Sequence, residues 1–230
     1  MTFDTAGETR LNLIVTGASG ALGRATVAVL EKQGHKVARI VRRAPLQASQ
    51  LITCEDLADA DAAERAVGTA VEALGRLDGV LHLAGTFTWK PVAASDAELW
   101  RTLFRENLET TLNVVKAALP CLEAGGAIVT IGAAAAEPSG AGMAPYAASK
   151  SAVARLTQSL AAELDESRIR INTLLPSIID TPANRVAMPD ADPSSWTHPE
   201  AIADVAAFLV SPAARAIHGA LIPVTSGVAR

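Results

Sequence analysis

The sequence predicts a single α/β domain, residues 1–230, in which helices cover both faces of a doubly wound parallel sheet of about seven strands. Three observations predict it. Short apolar runs alternate with longer helical stretches along the whole chain. Only 3% of the residues are aromatic while 50% are hydrophobic, so small aliphatic side chains must fill the core, as in buried parallel sheets. No internal repeat or low-complexity linker divides the chain, so we expect one domain.

The elements follow from the lengths of these runs. Strands are predicted over 11–16, 36–41, 78–83, 127–131, 169–174 and 220–224, with a weaker seventh over 50–54. Helices are predicted over 21–33, 60–75, 96–119, 145–165 and 199–210. The segment 176–199 breaks the alternation because it contains five prolines and little periodicity. We interpret it as a substrate lid, with a plain irregular connection as the alternative.

Composition excludes several classes of function. A net charge of −4 without a basic block gives no reason to expect nucleic acid as a partner. Cys54 and Cys121 cannot form a disulfide framework, and the four histidines are scattered, so no metal site is expected. No signal peptide or membrane-spanning run is recognisable, and the expected location is cytoplasmic.

A glycine-rich turn follows the first predicted strand and opens the first helix. Glycines in this position permit a tight turn and the close approach of a pyrophosphate, whose charge the free N–H groups of a helix N-terminus stabilise. Because the turn lies between the first strand and the first helix, it predicts a dinucleotide site of the Rossmann type. The residues expected to bind the cofactor here are Gly17, Ser19, Gly20, Ala21, Leu22 and Gly23.

The end of the second strand indicates which dinucleotide binds. An acidic residue at this place binds the adenosine ribose, whereas arginine accepts a 2′-phosphate. Here Val41 stands where the acid would be, and Arg42 and Arg43 follow it. NADPH is therefore expected rather than NADH, unless both arginines are solvated loop charges. Asp56, after the third strand, is expected to reach the adenine amino group.

The only tyrosine in the chain, Tyr146, precedes Lys150 by four residues. On a helix these positions share a face, so the phenol and the ammonium project into the same space. A nearby cation lowers the pKa of a phenol and makes it a usable general acid or base. We therefore interpret Tyr146 and Lys150 as a catalytic pair.

These features together resemble the short-chain dehydrogenase/reductase family over nearly the whole chain. The matching residues are Thr16-Gly17 with its loop, Leu83-Ala84-Gly85, Asn107, the run from Tyr146 to Lys150, and Pro176 with Thr181. The resemblance implies that Tyr146 donates the proton, that Lys150 lowers its pKa and binds the nicotinamide ribose, and that Asn107 holds a proton-relay water. It further assigns cofactor contacts to Ala84, Gly85, Pro176, Ile179 and Thr181.

Most members of this family carry a serine thirteen residues before the tyrosine, where this chain has Ala133. Ser139 is expected to be a loop residue instead. The alanine, the glycine spacing and the segment 176–199 resemble the dihydropteridine reductases within the family. A quinonoid acceptor is already activated, so it can accept a hydride without a serine to polarise it. The expected substrate pocket contains Ala133, Phe87, Trp89, Met143 and Trp196.

The sequence therefore favours an NADPH-dependent reductase of a small conjugated acceptor such as a quinonoid dihydropteridine. A general carbonyl or alcohol oxidoreductase of the same family is the alternative, and a non-catalytic nicotinamide-binding regulatory protein is a second one. The resemblance also implies a homodimer or homotetramer that associates through the helices 96–119 and 145–165.

Overall fold

The computed structural model describes residues 10–43 and 51–225, and within these ranges seven strands form one parallel sheet in the order β3-β2-β1-β4-β5-β6-β7. The strands are β1 (Asn12–Thr16), β2 (Lys36–Val41), β3 (Leu51–Thr53), β4 (Leu77–His82), β5 (Leu122–Ile131), β6 (Arg170–Pro176) and β7 (Leu221–Val224). The chain builds outward from β1 to β3 and then returns to β4 beside β1. This change of direction creates a crevice at the carboxyl ends of β1 and β4, where open α/β sheets bind ligands.

Helices cover both faces of the sheet. They are α1 (Ala21–Lys32), α2 (Ala60–Leu74), α3 (Ala97–Phe104), α4 (Thr110–Ala118), α5 (Ala144–Leu164), α6 (Pro182–Ala187) and α7 (Pro199–Val210). Side chains alternate along β1: Leu13 and Val15 pack with α1 and α7, whereas Ile14 packs with α2 and α4. A third group of apolar residues joins α4 and α5 to β5 and β6. The predicted fold class, including the weak third strand, is thereby confirmed.

Two predicted segments differ from the structure. The helix expected over 96–119 is interrupted by a single π-helical turn, Arg105–Glu109, between α3 and α4. The segment 176–199 is more regular than expected, because it contains α6 and a short turn of 3-10 helix at Pro193–Ser195. Among the described residues, we find no helix with the length and apolar content needed to span a membrane.

Candidate active site

The turn after β1 needs glycine at two positions for steric reasons. Gly17 has φ +65°, and a Cβ added to it would lie 2.9 Å from the backbone nitrogen of Ala84. A Cβ on Gly23 would lie 2.2 Å from the carbonyl oxygen of Gly17. The turn therefore packs directly onto the end of β4, and α1 packs directly onto the turn. Side chains at these positions would force the two apart.

A cavity of about 260 Å³ opens between this turn and the ends of β2 and β4. Gly20 is the N-cap of α1 and provides no side-chain acceptor, so the first N–H groups of the helix remain available to an anion. These features fit the phosphates and adenosine of a dinucleotide. The lining residues are Gly17, Ser19, Gly20, Ile40, Val41, Arg42, Cys54, Leu57, Leu83, Ala84, Gly85, Thr86, Glu106 and Thr110.

Three residues were predicted to bind the adenosine half of the cofactor, and the structure places each of them differently. Arg42 lines the cavity, but its guanidinium is paired with the carboxylate of Glu106. Arg43 is exposed at the end of the described segment. Asp56 was expected to bind adenine, but its carboxylate pairs with Arg105, which lowers its pKa. Asp56 does not line the cavity, whereas Cys54 and Leu57, which lie on either side of it in the chain, do.

Asn107 anchors the end of β4 to α5. Its Oδ1 accepts a hydrogen bond from the Thr86 N–H at 2.8 Å, and its Nδ2 donates to the Thr86 carbonyl and to Ser149 Oγ. A Cβ on Gly85 would lie 2.8 Å from Asn107 Oδ1 and 3.2 Å from Lys150 Nζ. The side chains of Asn107 and Lys150 therefore both lie against Gly85, and the crowding explains the glycine, whereas the proton-relay water at Asn107 stays a prediction.

Burial changes the pKa of both members of the catalytic pair. Desolvation raises the pKa of Tyr146 to about 12 and lowers that of Lys150 to about 8. Desolvation therefore sets the direction of the Tyr146 pKa shift, and the lowering of that pKa by Lys150 stays a prediction. Lys150 Nζ donates to the carbonyl of Ile131, at 2.8 Å. At neutral pH the pair is a protonated phenol beside an ammonium.

Two aromatic side chains follow β4: Phe87 contacts the tyrosine, and Trp89 packs against the loop before α5. The rings of Phe87 and Tyr146 meet edge to face, with centroids 4.8 Å apart. Trp89 Nε1 donates to the Ala141 carbonyl, and its ring lies where a Cβ on Gly142 would be, 2.3 Å from that position. Phe87 and Trp89 are 50% and 57% exposed. Phe87 therefore leaves apolar surface open beside the phenol, and Trp89 leaves apolar surface open beside the loop before α5.

The other predicted pocket residues are placed as follows. Ala133 follows the end of β5 and is buried, and Met143 immediately precedes α5. Ser139 lies exposed in the loop between them, which agrees with its interpretation as a loop residue. Trp196 is only 4% exposed, so it does not offer the open stacking surface that we expected.

The residues after β6 lie at the carboxyl edge of the sheet. Pro176 ends β6, and Ile179 forms a parallel bridge with Thr197. Thr181 Oγ1 accepts a hydrogen bond from the Asn184 N–H and thereby caps α6. Contact between these residues and a nicotinamide carboxamide remains a prediction.

Sequence reasoning missed three residues that shape the site. Glu106 reaches Arg42, Ser149 holds Asn107, and Gly142 accommodates Trp89. Ser149 lies inside the run from Tyr146 to Lys150, so its position on the helix could have indicated it. Nothing in the sequence marks the π-helical turn that presents Glu106, or the packing of Trp89 on Gly142.

Comparisons with known proteins agree with this geometry. A family model described as enoyl-(acyl carrier protein) reductase matches residues 17–229. An uncharacterised NAD-dependent oxidoreductase of Mycobacterium tuberculosis is 30% identical, over 93% of this chain and 94% of the relative. The cis-4-hydroxycyclohexanecarboxylate dehydrogenase of Sinomonas cyclohexanicum is 31% identical, over 93% and 94%. A solved short-chain dehydrogenase/reductase of Brucella melitensis, described as a glucose/ribitol dehydrogenase, superimposes with a TM-score of 0.84 at 28% identity, over 96% and 100% of the two chains.

Proposed function

Because the chain belongs to the short-chain dehydrogenase/reductase family and is an NAD(P)-dependent oxidoreductase, we propose that it interconverts a carbonyl compound and the corresponding alcohol. The observation that carries the proposal is the placement of Tyr146 and Lys150 one helical turn apart on α5, with Lys150 buried and the half-buried Tyr146 ring against Phe87. It provides a proton donor, a cation and a water-poor surface in one place, which is what carbonyl reduction requires.

Each residue has a defined task in the reaction. A bound nicotinamide dinucleotide supplies the hydride for reduction and accepts it in oxidation. As the carbonyl carbon is reduced, Tyr146 gives its phenolic proton to the carbonyl oxygen, and the product is an alcohol. Lys150 stabilises the resulting phenolate through its positive charge, and solvent returns the proton to Tyr146. Asn107 holds the end of β4 against α5, so that the dinucleotide site and the catalytic pair keep a fixed separation.

An alicyclic secondary alcohol, or its ketone, is the substrate class that we propose first. One relative is named for cis-4-hydroxycyclohexanecarboxylate, which carries a hydroxyl on a saturated ring. The half-exposed rings of Phe87 and Trp89 support the same class, because they offer flat apolar surface to a ring of this kind.

The test is an assay of the purified protein with cyclic ketones, open-chain ketones, sugars and quinonoid compounds, each with NADPH and with NADH. Turnover of cyclic ketones above that of the other classes is the expected result. Absence of turnover with every ketone and alcohol would contradict the proposal, and turnover limited to quinonoids would favour the second candidate described below.

Arg42 supports a preference for NADPH, because it lines the adenosine cavity and can pair with a 2′-phosphate. The uncharacterised relative is named as NAD-dependent, so the preference needs a direct test. We expect Arg42→Ala to weaken the binding of NADPH about tenfold or more, while the binding of NADH changes little. An equal effect on both would contradict the assignment.

A second candidate is the reduction of an activated conjugated acceptor such as a quinonoid dihydropteridine. Ala133 favours it, because no hydroxyl is present there to polarise an ordinary carbonyl. Replacing Ala133 by Ser should separate the two candidates. A large gain in the rate on simple ketones would count against a site built for activated acceptors, whereas loss of quinonoid turnover without that gain would support it.

A further inference from the structure

The carboxylate of Glu106 lies at the adenosine cavity, where the chain also presents Arg42. Both residues line the cavity together with Ser19 and Gly20, and the carboxylate and the guanidinium form an ion pair. The Glu106 side chain is only 19% exposed, whereas that of Arg42 is 64% exposed. The acid is therefore the more buried partner of the pair, and the arginine reaches it from the surface.

The π-helical turn explains how Glu106 reaches this place. It inserts one extra residue between α3 and α4, in the part of the chain that also carries Asn107. The Thr110 and Thr111 hydroxyls donate to the carbonyls of Glu106 and Asn107, at 2.9 and 2.6 Å. As a result, Glu106 faces the adenosine cavity, while the Asn107 side chain bonds to Thr86 and Ser149 at the catalytic end.

Arg105 does not replace Arg42 as the partner of the Glu106 carboxylate. Arg105 approaches Glu106 at 3.8 Å, but its guanidinium already pairs with Asp56. Arg42 and Glu106 thus neutralise each other, and Arg105 and Asp56 do the same. Arg42 and Arg43 are the two arginines predicted to attract a 2′-phosphate. Of these, Arg42 is therefore already paired with an acid of the protein.

From this geometry we propose that Glu106 sets how strongly the protein discriminates between NADPH and NADH. A 2′-phosphate must take Arg42 away from Glu106 and must lie near a second anion, which weakens the binding of NADPH. The 2′-hydroxyl of NADH carries no charge, so it neither needs Arg42 nor is repelled by Glu106. The inference rests on the proposed role of Arg42 in NADPH binding.

The test measures binding of the adenosine half alone, by isothermal titration calorimetry with adenosine 2′,5′-bisphosphate and with 5′-AMP. For Glu106→Gln we expect the bisphosphate to bind about tenfold more tightly, because a nearby negative charge is removed, while 5′-AMP binding changes less than about twofold. Glu109→Gln is the matched control. It removes the same charge from the same turn, and its exposed side chain does not line the cavity.

Arg42→Ala separates a failure of this inference from a failure of the proposed NADPH preference. If Arg42→Ala leaves the ratio of the two affinities unchanged, the NADPH assignment is wrong. If Arg42→Ala lowers that ratio but Glu106→Gln acts no more strongly than Glu109→Gln, only the role of Glu106 is refuted. The role of Glu106 would also be refuted if Glu106→Gln raised the affinity for the bisphosphate by the same factor in the Arg42→Ala background. The acid would then act without Arg42. Binding of 5′-AMP reports whether each variant is folded.

Discussion

Phe87 meets Tyr146 edge to face, with the ring planes at 85° and the centroids 4.8 Å apart. Such a pair contributes about 0.5–1.5 kcal/mol beyond the area that it buries, so it restricts the orientation of the phenol. An aromatic contact from the loop after β4 thus holds the proposed proton donor, in a site where Ala133 supplies no hydroxyl.

The first prediction concerns this contact. Phe87→Ala should lower kcat about tenfold, because a phenol that loses its restraint spends less time in the reactive orientation. Phe208→Ala is the matched control, since Phe208 is exposed to a similar extent, 45%, and lies on α7. Steady-state kinetics of both variants test the prediction, and equal kcat values for Phe87→Ala and the parent would refute it.

The second prediction concerns the packing of Trp89. Gly142→Ala places a Cβ 2.3 Å from the Trp89 ring at a residue with φ +76°, so the ring must move. We expect a loss of about 1–3 kcal/mol in the free energy of unfolding, a shift in tryptophan fluorescence and a higher KM. Gly140→Ala is the control, because its Cβ would meet only Met143 Cγ, at 3.9 Å. If both variants behave alike, Trp89 is not held by Gly142.

The third prediction concerns the buried lysine. Burial lowers the pKa of Lys150 from 10.5 to about 8, so between these values the unfolded chain holds a proton that the folded protein has lost. The contribution of Lys150 to stability therefore rises with pH across this window, by about 1.4 kcal/mol per pH unit. Urea unfolding as a function of pH should show this rise in the parent and lose it in Lys150→Met. Lys116→Met, at an exposed position of α4, should keep it.

The fourth prediction concerns His82, which lies buried between the hydroxyls of Thr16 and Thr110. Desolvation, together with the charge of Lys150, lowers its pKa from 6.5 to about 3. The folded protein therefore binds fewer protons than the unfolded chain between these values. Its stability should fall as the pH drops through that window, by up to about 1.4 kcal/mol per pH unit.

Urea unfolding at a series of acidic pH values checks this expectation. His82→Asn should reduce the slope of stability against pH. His198→Asn should not, because the His198 side chain is 68% exposed. An unchanged slope in His82→Asn would show that other groups cause the acid sensitivity.

The parts of the molecule that were predictable depend on local sequence. The turn from Gly17 to Gly23 was recognisable because its glycines are required by contacts within the same strand-turn-helix unit. Tyr146 and Lys150 were recognisable because a helix alone brings positions four apart onto one face. The helix α6 could also have been predicted, since Thr181 before Pro182 is a usual helix start. The five prolines of the segment instead led us to expect an irregular loop.

The remaining features depend on partners that are distant in sequence. Asp56 carries no local sign that Arg105, forty-nine residues later, will pair with its carboxylate, and its contact with adenine stays a prediction. Glu106 pairs with Arg42, sixty-four residues away in sequence, from a π-helical turn that leaves no pattern in the sequence. The desolvation that raises the pKa of Tyr146 was not predictable either, because the extent of burial is a property of the folded protein.

The most direct test of the central claim compares Tyr146→Phe with the parent in single-turnover hydride transfer, with the dissociation constant of NADPH measured on both proteins. The account predicts that Tyr146→Phe slows the reduction of a ketone by about 100-fold or more, because it removes only the proton donor. It also predicts that the dissociation constant of NADPH changes less than about twofold. A variant that binds NADPH normally and reduces the ketone at the parental rate would contradict the account.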